Sequence, residues 1–422
     1  MSAAPPGRRA SRSVDLLAAV ADQGLSSGTN LLAVLVLARQ LDIESFGVFS
    51  VAYLLLTLFL GAARSFIGLP ISLSSALGKE ASRKAFNAAW AGLLVSALPV
   101  AVVVAGISWV ISGLGPMDDF LPILLVSLAT PLILLQDMSR YFALATGRPV
   151  TALLADFVWL AGIVLLFLTP ALPQAALFGA WVGAVVASLL VFIVTFRPAP
   201  AWREVGSVLR PQRGLRESVT LTVVLSNATS LGTNALATPA YGLGLIGGLR
   251  GSSTLFGPVN TLITFLDFAV LPRIVALDRR RRRRMMIITM VSTVVCTAMW
   301  ITAMLTMPDA WGYWILGETW SMTRDIIQIT SVEYVFLAVA AVLALILKAD
   351  GAARELLLSK VASSAVIVLA VVIGTQTDAS PSSVPLALVC GAVGSCALLS
   401  FSIVRRSIKG EFNAHTQHLH HD

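Results

Sequence analysis

Charge is scarce in this chain. Asp, Glu, Lys and Arg make up 12% of its 422 residues, about half of what a soluble domain carries. A water-soluble globular protein is therefore excluded. Histidine is missing from every apolar stretch: His415, His418, His420 and His421 all fall at the extreme C-terminus, so none can relay protons within a membrane. The tail that carries them reads as solvated and disordered. Cysteine is limited to Cys296, Cys390 and Cys396, each in an apolar run. That pattern gives no zinc spacing and no disulfide framework, and the three are expected to be small buried hydrophobes. There is no Gly-x-x-x-x-Gly-Lys-Ser/Thr loop, no His-Glu-x-x-His and no acidic or histidine cluster with metal-ligand spacing. No catalytic residue, metal or cofactor is expected, and the chain does not read as an ATPase.

What the chain has instead is long apolar runs. Hydrophobic residues are 57% of the total and mean hydropathy is +0.85. Runs long enough to cross ~30 Å of hydrocarbon are expected at 15–38, 46–73, 85–112, 120–142, 150–169, 173–196, 217–238, 241–271, 285–307, 325–347, 353–374 and 383–404. Continuous apolarity favours helices over a barrel, whose short strands alternate polar and apolar. The expected class is an all-α polytopic membrane protein with about 12 transmembrane helices.

The cations orient this map. Of 30 Lys and Arg, all but four fall in segments that lie inside when the N-terminus is cytoplasmic. Arg39 and Arg324 are outside, and Arg64 and Arg250 lie within spans. The positive-inside rule thus places both termini in the cytoplasm. Net charge is +8, but the cations sit between hydrophobic spans, so nucleic acid is not an expected partner. The expected organisation is a disordered N-terminus at 1–13 without a cleavable signal, a six-helix bundle at 14–196, a basic, Pro-containing linker at 197–216, a second six-helix bundle at 217–405, and a cytoplasmic tail at 406–422. Six arginines, Arg279 to Arg284, read as a topological anchor that also attracts anionic membrane lipid.

The halves repeat. Ser26-Ser27-Gly28-Thr29-Asn30 returns as Ser230-Leu231-Gly232-Thr233-Asn234, Phe46-Gly47 as Ile246-Gly247, and Phe66-Ile67-Gly68-Leu69-Pro70 as Phe268-Ala269-Val270-Leu271-Pro272. The offsets are 204, 200 and 202 residues. Both halves start inside, so the repeat is parallel, as in transporters built of two bundles.

Asp22-Gln23-Gly24 through Asn30, Ala38-Arg39 and Phe46-Gly47-Val48-Phe49 resemble the first two helices of polysaccharide exporters. Arg250 with Leu255-Phe256-Gly257-Pro258-Val259-Asn260 and Leu271-Pro272 extends the resemblance into the second half. The chain is similar, over residues 14–405, to O-antigen, capsule or teichoic-acid type flippases of the multidrug/oligosaccharidyl-lipid/polysaccharide exporter superfamily. That resemblance implies a V-shaped, MATE-like pair of bundles, alternating access, and a polyprenyl-diphosphate-linked oligosaccharide as cargo in the bacterial cytoplasmic membrane. A polysaccharide polymerase or assembly protein is a further expected partner. A cation-coupled drug or small-molecule exporter of the same architecture is the alternative. An intramembrane glycosyltransferase or polymerase is a third reading. Its sole external acidic pair is Asp118-Asp119, in a short turn.

The candidate substrate residues follow from depth and charge. A charge at the bilayer centre costs about 2.5–3.5 kcal/mol and so tends to face a cavity or a partner. Arg64 and Arg250 are each either a cavity cation for a diphosphate, whose oxygens match the guanidinium fork, or one half of a structural ion pair. Asn30 and Asn234 either line a sugar path or bond between helices. The intramembrane acids Asp22, Asp156, Asp267 and Glu333 are structural ion-pair partners or carriers of a coupling H+ or Na+. Asp267 lies at nearly the repeat position of Arg64 and is a candidate partner for it.

Overall fold

The computed structural model describes residues 24–68 except 27, 71, 78–113, 120–206, 213–266, 270–271, 274, 277, 279–377 and 380–408. Among these the fold is all helical, with no strand. In chain order the helices are α1 (28–40), α2 (Ile43–Ala63), α3 (Lys79–Ser112), α4 (Phe120–Ala145), α5 (Pro149–Leu168), α6 (Gln174–Phe196), α7 (Arg213–Leu255), α8 (Gly257–Phe265), α9 (Arg279–Leu305), α10 (Asp309–Leu316), α11 (Thr319–Ala349), α12 (Ala353–Gln376) and α13 (Ser383–Ile408). Nine of the described helices are long and apolar enough to cross a membrane. Val95, Leu98, Leu168, Met299, Leu369 and Phe401 are among many large apolar side chains left on the outside. Water would penalise such a surface, and hydrocarbon accommodates it. Cys296 and Cys390 share it and are exposed, while Cys396 is half-buried. The expectation of buried cysteines therefore fails, because an apolar run in a membrane helix faces lipid as readily as core.

Local chemistry sets the helix ends. Asp42 caps α2 by accepting from the backbone N–H of Glu44 and Ser45. Partial burial opposes its ionisation, but the donors of Ser45 and Glu44 outweigh it and hold the carboxyl below its ordinary value. α2 runs straight into a π-helical turn, Arg64–Gly68, a local widening often found at functional sites. Pro149 opens α5, and Pro131 interrupts the hydrogen-bond ladder of α4. The break expected between 238 and 241 lies at Gly242, inside α7, where φ is 77° and ψ is 173°. Only glycine adopts that conformation without strain.

Two compact units emerge, Met1–Leu231 and Gly232–Asp422. In the first, α4 is the central helix, packed on α2, α3, α5 and α6. An aromatic stack lies in its core: the Phe86 and Phe142 rings are 4.1 Å apart, with Phe196 edge-on to Phe142 at 5.0 Å. The segment expected as a linker is partly tied to α3. Arg83 donates to the Arg197 carbonyl (2.8 Å), Asn87 holds the N–H groups of Ala199 and Ala201, and Lys84 pairs with Glu204 at 3.2 Å. In the second unit α11 is central, touching α8, α9, α10, α12 and α13. The loop after α9 holds the unforeseen short helix α10, latched by the Trp320 indole donating to Asp309 at 3.0 Å.

Candidate functional site

The second helix delivers an arginine to the middle of unit one. The π-helical turn that ends α2 begins at Arg64, and its guanidinium reaches Asp137 on α4 through two hydrogen bonds, Nε to Oδ2 and Nη2 to Oδ1, both 2.8 Å. This is the side-by-side fork that makes Arg–carboxylate pairs strong and directional. The Arg64 side chain keeps 36% of its surface open, whereas Asp137 keeps 5%. Its Nη1 amine makes no hydrogen bond to the described residues. The hydroxyls of Tyr141 and Tyr53 lie within electrostatic reach of the same guanidinium.

Asp137 leads into a larger network. Arg140, one turn further along α4, stands 3.8 Å from Asp137 Oδ1 and 3.4 Å from Asp156 Oδ2 on α5. Gln136 Nε2 donates to Asp156 Oδ1 (3.1 Å) and to Ser188 Oγ on α6 (3.2 Å). Trp90 on α3 donates to Ser139 at 3.2 Å. One polar stripe of α4 thus ties α2, α3, α5 and α6 together. With two arginines and two aspartates the cluster is neutral. Its acids and Arg140 are buried, and its one half-open member is a cation. Buried charges demand such pairing.

Of the intramembrane acids singled out in the sequence, Asp156 lies in this cluster. Asp137 was missed, and Arg140 was counted among the cytoplasmic cations. That assignment is corrected: α4 continues to Ala145, and Arg140 is buried within it. The signal was present as Gln136-Asp137, Ser139-Arg140, a polar stripe at helical spacing in an otherwise apolar run. Asp22 and Asp267 lie outside the described residues, so the pairing of Arg64 with Asp267 does too. Asn30 donates to Ser26 O one turn back (3.0 Å), and Thr29 to Leu25 O (2.8 Å). Asp118-Asp119 is also outside the described residues. Arg39, at the end of α1, lies over the Phe167 ring at 5.1 Å, the contact of an interfacial anchor.

Unit two is organised around hydroxyls and one acid. Glu333 on α11 has no ion pair among the described residues and neighbours Tyr334. Asn260 on α8 donates to the Tyr334 hydroxyl (3.0 Å), and the Tyr334 ring stacks on Phe256 at 4.4 Å. Arg250 on α7 is half-buried and within electrostatic reach of Tyr334. Its carbonyl accepts from Ser253 and Thr254. Asn234 is half-buried on α7 beside buried Thr233. Trp300 donates to the Leu255 carbonyl at 3.0 Å, a packing role. Of the arginine run, Arg282 is tied to Asp350 and to the Ile346 carbonyl, while Arg280, Arg283 and Arg284 are exposed.

No protein-family model matches the sequence, and no curated protein matches it. Solved structures do share its fold. A multidrug resistance MATE family transporter of the MOP superfamily, in an inward-facing conformation, superposes with a TM-score of 0.72 at 12% identity, over 94% of this chain and 100% of that one. The lipid II flippase MurJ, in an inward closed conformation, gives 0.67 at 15% identity, over 92% of this chain and 87% of its own. A MOP superfamily transporter from Pyrococcus furiosus, described by a binding pocket of reverse polarity, gives 0.56 at 14% identity, over 93% and 94%. At these identities the likeness is one of fold: an all-α, MATE- and MurJ-like polytopic architecture.

Proposed function

We propose that this chain is a membrane transporter that flips a polyprenyl-diphosphate-linked oligosaccharide across the bacterial cytoplasmic membrane by alternating access. One observation carries the reading. Arg64 is held rigidly by Asp137 inside a membrane bundle, yet a third of its side chain is open and its Nη1 amine makes no hydrogen bond among the described residues. A guanidinium fixed in that way is pre-set for phosphate oxygens, because its geometry costs no further ordering on binding. Arg250, Asn30 and Asn234 complete the proposed cargo contacts. Coupling to H+ or Na+ would fall to Asp156 and Glu333, with Asp22 and Asp267. The exposed arginines of the 279–284 run would hold anionic lipid at the cytoplasmic face, where both termini lie in this reading.

Glu333 favours a second reading, a cation-coupled exporter of small molecules. An acid in a spanning helix without an ion pair among the described residues suits a coupling ion or a cationic drug. One experiment separates the two. Mass spectrometry of lipid extracts from cells depleted of the protein should show accumulated polyprenyl-diphosphate oligosaccharide, and Arg64→Ala should reproduce it while still inserting. Unchanged lipid-linked intermediates, with raised sensitivity to cationic drugs, would reject the flippase in favour of the exporter.

A further inference from the structure

Asp137 stands between two guanidinium groups. Its Oδ1 accepts from Arg64 Nη2 at 2.8 Å, and Arg140 Nη1 is 3.8 Å from the same oxygen. The two arginines differ in surroundings: the Arg64 side chain is 36% exposed and that of Arg140 6%. An anion that grips Arg64 on its Nη1–Nη2 edge uses the second Nη2 N–H, and sets its negative charge against that of Asp137 across the same guanidinium. Repulsion that loosens the Arg64–Asp137 fork would leave a buried carboxylate short of a partner, which is strongly unfavourable. Arg140 is placed to prevent it. A side-chain shift of about 1 Å brings its Nη1 to hydrogen-bond distance of Oδ1, and its tie to Asp156 on α5 means the shift is felt by a second helix.

We infer that Asp137 is an exchange carboxylate: it holds Arg64 while the site is empty and passes to Arg140 when Arg64 takes an anion. The inference rests on the reading of Arg64 as an anion site. In this role Asp137 is a positioning residue that also competes with cargo. It keeps anion affinity moderate, which a transporter needs in order to release what it binds. The Asp137–Arg140 pair formed on binding is the element that reports occupancy to α5.

The test is calorimetric titration of the purified full chain, in nanodiscs of zwitterionic lipid, with inorganic pyrophosphate. Arg64→Gln should abolish binding. Asp137→Asn should bind about tenfold tighter than the unmodified protein, and Arg140→Gln about tenfold weaker. Those two signs alone would also follow from bulk charge. The double variant D137N/R140Q separates the explanations: it keeps the cluster neutral, so bulk charge predicts unchanged affinity, whereas exchange predicts binding as tight as in D137N. It also preserves the test if the single variant does not fold. A purely structural Asp137 would weaken binding in every variant that lacks it. Unchanged or weaker binding in D137N/R140Q, with Arg64-dependent binding intact in the unmodified protein, overturns the exchange and leaves the anion site standing. An unmodified protein with no Arg64-dependent pyrophosphate binding overturns both.

Discussion

Where the first half carries Arg64 at the start of a π-helical turn, the second carries Leu266, 202 residues later, also π-helical. The turn after α4 is matched just as closely. Gly147 has φ 69° and Gly351 φ 67°, 204 residues apart, and the closing bonds Arg148 N–H to Ala143 O (2.8 Å) and Ala352 N–H to Leu347 O (2.9 Å) repeat at the same offset. In that register Asp137 corresponds to Ala341 and Arg140 to Ala344. The backbone repeat is kept while the chemistry is not. Leu266 sits in an apolar cluster with Val342, Leu345 and Ala341, at the position where unit one places an Arg–Asp pair. Among the described residues, unit two therefore closes at this place with apolar side chains where unit one has charges. Replacing a buried ion pair by well-packed apolar residues is often neutral or stabilising, so selection for stability alone would not retain the pair in unit one.

This comparison can be broken most forcefully by Asp137→Ala. It strips a buried carboxylate from two arginines and should cost about 3–5 kcal/mol, at the low end because Arg64 is half-open. Thermal unfolding in detergent reads it. The double change R64L/D137A, which copies the unit-two solution, should recover most of that loss while still abolishing export. If it is as unstable as D137A, the charges are structural after all. The converse graft, Leu266→Arg, should cost about 2.5–3.5 kcal/mol, and adding Ala341→Asp should return part of it, measurable as coupling of about 0.5–3 kcal/mol in a double-mutant cycle. A smaller difference sits at the first turn of each half. Asp42, which caps α2, corresponds at the 200-residue offset to Gly242, the kink in α7. Gly242→Ala forces an alanine into a glycine-only conformation and should cost about 1–3 kcal/mol. Asp42→Ala should cost about 0.5–1 kcal/mol at neutral pH. Because the folded carboxyl of Asp42 is held below its ordinary value, its contribution is present above that value and fades as pH falls through the folded one. The unfolding curves of D42A and the unmodified protein should therefore converge in acid.

Nine of the expected spans were legible because bilayer thickness dictates their length. Helices nonetheless overran the apolar windows. α3 begins at Lys79, where charged residues extend a helix beyond the hydrocarbon at no penalty. The same overrun hid the cluster: Arg140 lies close to where the apolar run fades, so it counted as a loop charge, and Asp137 disappeared beside it. Arg64 was legible from depth alone, but its partner was not. Sequence distance does not reveal that α2 and α4 are neighbours. α10 was invisible because eight residues rich in tryptophan and tyrosine look like an interfacial loop.

Pro131 gives the central helix of unit one a mechanical property that its counterpart lacks. A proline supplies no N–H to the turn before it, so one rung of the α4 ladder is missing six residues ahead of Asp137. From Thr319 to Ala349 α11 contains no proline. Bending stiffness along α4 is therefore uneven, with the soft spot close to the charges. A lateral push on α4 is converted there into tilt of the Gln136–Arg140 stretch, whereas the same push on α11 is passed along an unbroken rod.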